Sequence, residues 1–191
     1  MRRDALYPRT YDPREFVDLL TGIDLHPANA TQCDSGWALA AELISPNVAG
    51  PAILRRIQAR TEASVFVQTD GDGEVVGVSG ILPLRPEGLE AMLAHRFAPK
   101  DPPNEFLCAP GDPMAAMYPW AFAARTRRAS AAAVSMMLIL REHYPDIPFF
   151  TRAVTPAGAK VVRGRMGYAP YPDAPDDLLW NPVRPSQERA A

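Results

Sequence analysis

Three arginines and a run of small residues lie together in the chain and form a pattern suited to binding an anion. Residues 125–132 read Arg-Thr-Arg-Arg-Ala-Ser-Ala-Ala, between a strand-like apolar segment and a helix-like apolar segment. The small residues therefore occupy the first turn of a helix, where free backbone N–H groups and the positive end of the helix dipole attract anions. Small side chains let a phosphate reach those groups, so the pattern predicts a phosphate or pyrophosphate site. The alternative is an ordinary buried helix whose arginines extend into solvent.

The charge distribution singles out the same region. The whole chain carries a net charge of −2, but residues 125–165 hold eight cationic side chains and two carboxylates. That segment is therefore at +6 and the remainder at −8, which indicates a polyanionic partner held at one place. A general nucleic-acid binder is more often basic overall, so the composition does not favour one.

Length and composition indicate a soluble globular class. The 191 residues are 47% hydrophobic and 22% charged, which suits a single domain with its own core. The longest nearly apolar run, 129–140, is too short for a membrane span and contains serines. Two cysteines make neither a disulfide framework nor a zinc site, and the polar start of the sequence leads us to expect no secretory signal. We expect reduced thiols, a cytoplasmic setting and, from the arginine-rich, lysine-poor composition, a bacterial source.

The elements that position the anion site follow from periodicity and turn signals. The first part, 1–62, reads as a helical segment of the same domain, with helices at 12–22, at 36–44 capped by Asp34 or Ser35, and from Pro51 onward. A core follows over 63–171, and it begins with a β-hairpin closed by the turn at 70–73. Residues 172–191 read as a proline-rich tail, in which Leu178, Leu179 and Trp180 are predicted to dock onto the protein.

The second half of the core predicts an α/β arrangement. Strand 115–124, helix 129–143 and strand 148–154 form a right-handed crossover between parallel strands. Pro119 inside the first strand removes a ladder donor and predicts a bulge that splays the two strands. The gap would hold an extended ligand that runs down from the phosphate site. The alternative is a simple edge strand.

In this order of elements the chain resembles the GNAT superfamily of acyl-CoA-dependent N-acyltransferases over residues 63–171. The family's corner reads Arg/Gln-x-x-Gly-x-Gly/Ala, and here Arg127 and Ala132 match while Ser130 replaces the glycine. The resemblance implies a mixed sheet with a hairpin, a splayed parallel pair and flanking helices. It also implies that acetyl-CoA or another acyl-CoA is the cofactor, with its pantetheine arm on the backbone of Phe122 and Ala124. Its pyrophosphate would then lie on the corner formed by Arg127, Arg128, Ala129, Ser130, Ala131 and Ala132.

The family's closing helix also has a counterpart, with one departure. The family has an alanine, a tyrosine four residues later and then Gly-Phe, where this chain has Ala159, Arg163 and Gly167-Tyr168. The family's tyrosine protonates the departing thiolate, and an arginine cannot donate a proton at neutral pH. Arg163 would instead stabilise the thiolate or bind phosphate.

A general base is hard to identify, because neither strand of the parallel pair contains a carboxylate. Tyr118, next to the expected splay, is the catalytic candidate, and a packed tyrosine is the alternative. The preceding loop adds four candidates without geometry: His95, Glu105, Cys108 and Asp112.

The function that the resemblance implies is acyl transfer from coenzyme A to an amine of a small molecule or a protein. The acceptor would enter from the hairpin and from residues 87–113. The alternative is a catalytically degenerate relative that binds coenzyme A as a regulatory or interaction module. Nucleic-acid binding through the basic segment is a third interpretation. Family members are often dimers, so the resemblance also raises a homodimer as a partner.

Overall fold

A seven-stranded mixed sheet lies at the centre of the protein, for which a computed structural model describes residues 9–172 and 177–182. The sheet order is β1-β2-β3-β4-β5-β7-β6, and only the β4–β5 pair is parallel. The strands are β1 (His26–Pro27), β2 (Val65–Thr69), β3 (Val75–Leu84), β4 (Ala116–Ala124), β5 (Phe149–Arg152), β6 (Ala169–Pro170) and β7 (Leu178–Asn181). The predicted α/β class with a mixed sheet is confirmed.

Helices cover both faces of the sheet. The helices are α1 (Pro13–Thr21), α2 (Ala30–Leu43), α3 (Pro51–Thr61), α4 (Pro86–Leu93), α5 (Arg127–His143) and α6 (Pro156–Lys160). Helices α1 and α5 share one apolar cluster on one face, and α2, α3 and α4 pack on the other face. A π-helical segment, Val161–Arg165, continues α6. Among the residues described, no helix combines the length and apolarity needed to cross a bilayer.

The start of α2 differs from the prediction. The helix was expected from residue 36 with Asp34 or Ser35 as its cap, but it begins at Ala30 after the cap Asn29. The Asn29 side chain accepts from the Gln32 N–H at 2.9 Å, and the Gln32 side chain accepts from the Asn29 N–H at 3.0 Å. This capping box satisfies two donors at once, which explains the earlier start.

The predicted hairpin is confirmed as β2 and β3. The Asp70 carboxylate closes the turn by accepting from the N–H groups of Asp72 and Glu74, each at 3.0 Å. Gly73 has a φ of +84°, in the left-handed region that favours glycine.

Part of the predicted tail is a strand of the sheet. Leu178–Asn181 forms β7, inserted between β5 and β6, with Phe150 opposite Trp180. Residues 173–176 and 183–191 of that tail lie outside the described residues, as do residues 1–8. The apolar run Leu178, Leu179 and Trp180 docks by pairing its backbone as well as by packing its side chains.

A buried hydroxyl near the end of the core provides a test of stability. Tyr168 is 4% exposed, its hydroxyl has no hydrogen-bond partner among the described residues, and burial raises its pKa. A buried polar group without a partner costs free energy. We therefore expect Tyr168→Phe to raise the free energy of unfolding by about 1 kcal/mol, or about 2–4 °C in Tm for a chain of this size. Thermal unfolding of the two proteins measures this.

The matched control is Tyr144→Phe. The Tyr144 hydroxyl donates to Glu15 Oε2 at 2.6 Å, so its removal is expected to destabilise the fold by about 1–3 kcal/mol. If Tyr168→Phe destabilises the protein as much as Tyr144→Phe does, the Tyr168 hydroxyl has a partner after all.

Candidate functional site

The parallel strands β4 and β5 separate after a single pair of residues. Only Met117 and Phe149 are opposite each other, and the Met117 N–H donates to the Pro148 carbonyl at 3.0 Å. Pro119 comes next on the edge that faces β5, and it has no N–H to continue the ladder. The Thr151 hydroxyl donates to the Pro119 carbonyl at 3.0 Å, which is the last link we observe between the strands. The predicted splay is therefore present.

The bulge predicted at Pro119 is also present, and it determines which backbone groups face the gap. The pairing with β3 shifts between Pro119 and Ala121, so that Trp120 is the extra residue. Beyond it the Arg125 N–H donates to the Val76 carbonyl on the β3 side. Because backbone groups alternate along a strand, those of Phe122 and Ala124 face the opened side. These are the two positions where the resemblance to the GNAT superfamily implies that the pantetheine arm would lie.

The helix that follows β4 starts two residues earlier than predicted. Thr126 is the cap of α5, so Arg127 and Arg128 are its first two residues rather than part of a corner. The Thr126 hydroxyl accepts from the Ala129 N–H at 3.0 Å, and its carbonyl accepts from the Ser130 N–H at 3.0 Å. By helix geometry, the N–H groups left without an acceptor are those of Arg127 and Arg128.

The six residues of the predicted corner therefore divide into two groups. Ala129 and Ala132 are buried and seat the helix on the core. Arg127, Arg128, Ser130 and Ala131 are exposed. An anion at this helix start would meet two N–H groups, the Ser130 hydroxyl and cationic side chains.

The three arginines are not equivalent. Arg125 is paired with Glu42, and Arg128 Nη2 lies 2.9 Å from Asp24 Oδ2. Arg127 has no ion-pair partner among residues 9–172 and 177–182. The charge of Arg127 is therefore the one that a bound anion would neutralise first.

Asp24 is a site residue that the sequence did not suggest. Its Oδ2 atom accepts from Gln68 Nε2 and from Arg128 Nη2, each at 2.9 Å. Gln68 lies on β2 and Arg128 on α5, so the carboxylate joins distant parts of the chain. No local pattern around Asp24 signals this role, because its partners are brought to it only by the sheet.

A close backbone approach holds the start of α5 against β3. A Cβ atom at Gly77 would lie 2.8 Å from the Ala129 Cβ, closer than two such atoms can pack. We expect Gly77→Ala to destabilise the protein by about 1–3 kcal/mol through overpacking and to weaken any ligand that α5 binds. Thermal unfolding and ligand titration measure the two effects.

A second substitution makes that test specific. Ala129→Gly removes the atom that the new Cβ would strike, so the Gly77→Ala/Ala129→Gly double variant should recover part of the lost stability. Ala129→Gly alone gives the reference cost of a helical glycine, about 1 kcal/mol. Purely additive losses in the double variant would contradict the close approach.

The far side of the gap is formed by the segment after β5. Val154, two residues beyond the end of that strand, is 79% exposed, and Thr155 caps α6 by accepting from the Gly158 N–H. Arg163, in the place of the family's tyrosine, lies exposed in the π-helical segment. Val161 and Val162 of the same segment pack partly against the core.

The catalytic candidates are not brought together. Tyr118 is 3% exposed, with its ring 5.5 Å from that of Phe97, so its side chain is packed.

The four candidates of the preceding loop differ in exposure and in contacts. Asp112 accepts from the Ala109 N–H and from Arg60, and it anchors the loop before β4. Cys108 is buried, and burial raises its pKa. His95 and Glu105 are exposed. The described residues contain no cluster of three or more His, Cys, Asp or Glu side chains that would hold a metal.

The fold has two defining features. The sheet is mixed, and its two parallel strands separate next to the capped start of α5, which carries arginines. The chain has the fold of the GNAT superfamily, as the resemblance implied. One similar solved structure is a protein from Corynebacterium glutamicum described as histone acetyltransferase HPA2 and related acetyltransferase. It is 18% identical, with 85% of this chain and 97% of that chain covered and a TM-score of 0.50.

A second similar structure is the GNAT-like decarboxylase GphF in complex with isobutyryl-CoA. It is 17% identical, with 73% of this chain and 71% of that chain covered and a TM-score of 0.47. No protein-family model and no curated protein sequence matches this chain. The first of these likenesses, at 18% identity, shows the fold alone.

Proposed function

We propose that this protein is an acyl-CoA-dependent N-acyltransferase, in the simplest case an acetyltransferase. The observation that carries the proposal is the opened edge of β4, which leads directly to the helix start where Arg127 has no carboxylate partner in the described part of the chain. An edge without a strand beside it and a cation without an anion beside it both favour a ligand that is extended and carries phosphates at one end.

The residues present fit coenzyme A in three respects. The backbone of Phe122 and Ala124 offers donors and acceptors along the opened edge. The N–H groups of Arg127 and Arg128, the Arg127 guanidinium and the Ser130 hydroxyl suit a pyrophosphate. Exposed Val154 offers an apolar surface across the gap.

Coenzyme A would supply an activated acyl group as a thioester. Transfer forms a bond between the acyl carbon and the amine nitrogen and breaks the carbon–sulfur bond. The nitrogen loses one proton and the sulfur gains one. Strands β4 and β5 contain no carboxylate, so this chain would act mainly by holding the reacting atoms together, which is itself a large effect. Arg163 would stabilise the leaving sulfur or a phosphate by its charge.

Tyr118, on β4, remains the catalytic candidate in this proposal. A proton donor must reach the reacting atoms, whereas the Tyr118 ring is packed on Phe97. We expect Tyr118→Phe to lower kcat by roughly 10²-fold or more if the hydroxyl transfers a proton. An unchanged kcat, measured by thiol release, would leave Tyr118 a packing role.

Thermal unfolding with coenzyme A, acetyl-CoA and ATP tests the cofactor. A ligand at about 100 times its Kd stabilises by roughly 2.7 kcal/mol, which for a chain of this size is about 5–11 °C in Tm. We expect that shift with coenzyme A and acetyl-CoA and a much smaller one with ATP, which has phosphates but no pantetheine arm. The absence of a shift with all three would contradict the proposal.

A second candidate function is coenzyme A binding without chemistry, in a regulatory or interaction module. Exposed Arg163 at the tyrosine position and packed Tyr118 favour it. Thiol release from acetyl-CoA that requires an added amine, of a small molecule or a protein, distinguishes the enzyme from this module. Nucleic-acid binding would instead appear as affinity that falls steeply with salt.

A further inference from the structure

The gap between β4 and β5 has a closed end. The backbone pair at that end is Met117 with Phe149, and both side chains are buried, at 0% and 1% exposed. Two residues further along, the Thr151 hydroxyl donates to the Pro119 carbonyl at 3.0 Å. Thr151 is 6% exposed, so this bond is shielded from water. A side chain therefore ties the two strands together at the position where Pro119 interrupts the ladder.

The opened edge of β4 has about the length of the ligand that the proposed function places there. The pantetheine arm of coenzyme A has about twelve bonds between its phosphate-ester oxygen and its sulfur, as many as four residues of polypeptide, so it reaches about 13–14 Å. A strand rises about 3.3 Å per residue, so from a pyrophosphate at the start of α5 the arm would extend along β4 from Ala124 to Trp120. The sulfur would then lie next to Pro119.

The closed end would accept a short acyl group and resist a long one. Past the sulfur, an acetyl group would end beside the bond between Thr151 and Pro119. A hexanoyl chain would continue into the space that this bond and the pair of Met117 and Phe149 occupy. Extra methylenes in a packed interior force side chains and backbone to shift, which costs free energy.

We infer that Thr151 determines the length of the acyl group and that the donor carries a short one, such as acetyl. The inference rests on the proposed function and adds a specificity-determining residue to it. The Thr151 hydroxyl holds the two strands together where Pro119 offers no N–H, and this bond sets the depth of the gap. Its loss would let the strands part further and make room for a longer chain.

The test measures binding, so it needs no acceptor amine. Isothermal titration compares coenzyme A, acetyl-CoA, butyryl-CoA and hexanoyl-CoA on the unaltered protein. We expect coenzyme A and acetyl-CoA to have similar Kd values. The Kd of hexanoyl-CoA should be about 10- to 100-fold higher, because its chain would overpack the closed end. Butyryl-CoA should lie between them.

Three variants at Thr151 separate the hydrogen bond from the volume of the side chain. Thr151→Ser retains the hydroxyl and should retain the discrimination. Thr151→Ala removes both the hydroxyl and the bulk, so the Kd of hexanoyl-CoA should come within about threefold of that of acetyl-CoA. Thr151→Val has nearly the same volume without the bond and should give an intermediate result.

The matched control is Thr61→Val. Thr61 is also a buried threonine, at 0% exposed, and its hydroxyl donates to the Ile57 carbonyl at 2.9 Å on α3, outside the gap. Each of the two valine variants loses one buried hydrogen bond and should lose a similar amount of stability. Only Thr151→Val should change the preference among the acyl-CoA ligands.

The outcomes distinguish this inference from the proposed function. If none of the four ligands binds, both are contradicted. If coenzyme A and acetyl-CoA bind and hexanoyl-CoA binds as tightly, the inference alone is wrong. Discrimination that persists unchanged in Thr151→Ala would assign the limit to other residues and also overturn it. The ligand series uses the unaltered protein, so a variant that fails to fold leaves the first comparison decisive.

Discussion

Replacing Ser130 by glutamate is expected to abolish coenzyme A binding while the fold stays at least as stable. Ser130 is exposed in the first turn of α5, next to the two N–H groups that have no helical acceptor. A carboxylate there would occupy the anion site and repel a pyrophosphate. We expect Kd to rise by roughly 100-fold or more, about 2.7 kcal/mol. The same charge interacts favourably with the helix dipole, so the free energy of unfolding should rise by about 0.3–1 kcal/mol.

Ser130→Gln is the matched control, because it adds the same bulk without the charge. It should weaken binding far less than Ser130→Glu. Isothermal titration gives Kd, and thermal unfolding without ligand gives stability. If Ser130→Glu binds coenzyme A like the unaltered protein, the phosphates lie elsewhere.

Arg127→Ala is expected to cost more affinity than the same change at either neighbouring arginine. Arg125 and Arg128 are paired with Glu42 and Asp24, whereas Arg127 has no ion pair in the described part of the chain. A charge-assisted hydrogen bond contributes about 1.5–3 kcal/mol, so Kd should rise by about 10- to 100-fold for Arg127→Ala. Arg125→Ala and Arg128→Ala remove the same charge and serve as controls.

Asp24→Asn extends this test in the opposite direction. It removes a carboxylate from the edge of the site and releases Arg128, so coenzyme A should bind more tightly. The Arg128–Asp24 ion pair is exposed, and exposed ion pairs contribute about 0.2–1 kcal/mol. The gain in binding free energy from Asp24→Asn should therefore be smaller than the loss from Arg127→Ala. Equal losses for the three arginine variants would mean that only the total charge matters.

Local chemistry made much of the fold predictable. Prolines marked the starts of α1 and α3, the polar cap Asp12 also marked that of α1, and the Asp-Gly turn marked the hairpin, because these signals act within a few residues. The prediction for α2 was wrong at its start, because the capping box of Asn29 and Gln32 begins the helix ahead of Asp34 and Ser35. Strand β7 was not predicted, since four residues in a proline-rich segment become a strand only when β5 and β6 flank them.

The candidate site likewise combines features that follow from local sequence with features that depend on contacts between distant segments. Pro119 in a strand and small residues after a cationic turn are local features, and they suffice to predict the splay and a helix after β4, although the predicted start of that helix was two residues late. The ion pairs that set Arg127 apart join residues 83 and 104 positions apart. The close approach of Gly77 and Ala129 also depends on how α5 packs across the sheet.

The amino-acid sequence alone was enough to predict most of the order of elements and the GNAT-like arrangement, because backbone propensity and hydrogen-bond capping are local. Only the tertiary structure decided which arginine stays without a carboxylate among the described residues and which backbone groups face the gap. Each of these depends on register and packing between segments distant in the chain, where a shift of one residue moves a side chain to the other face.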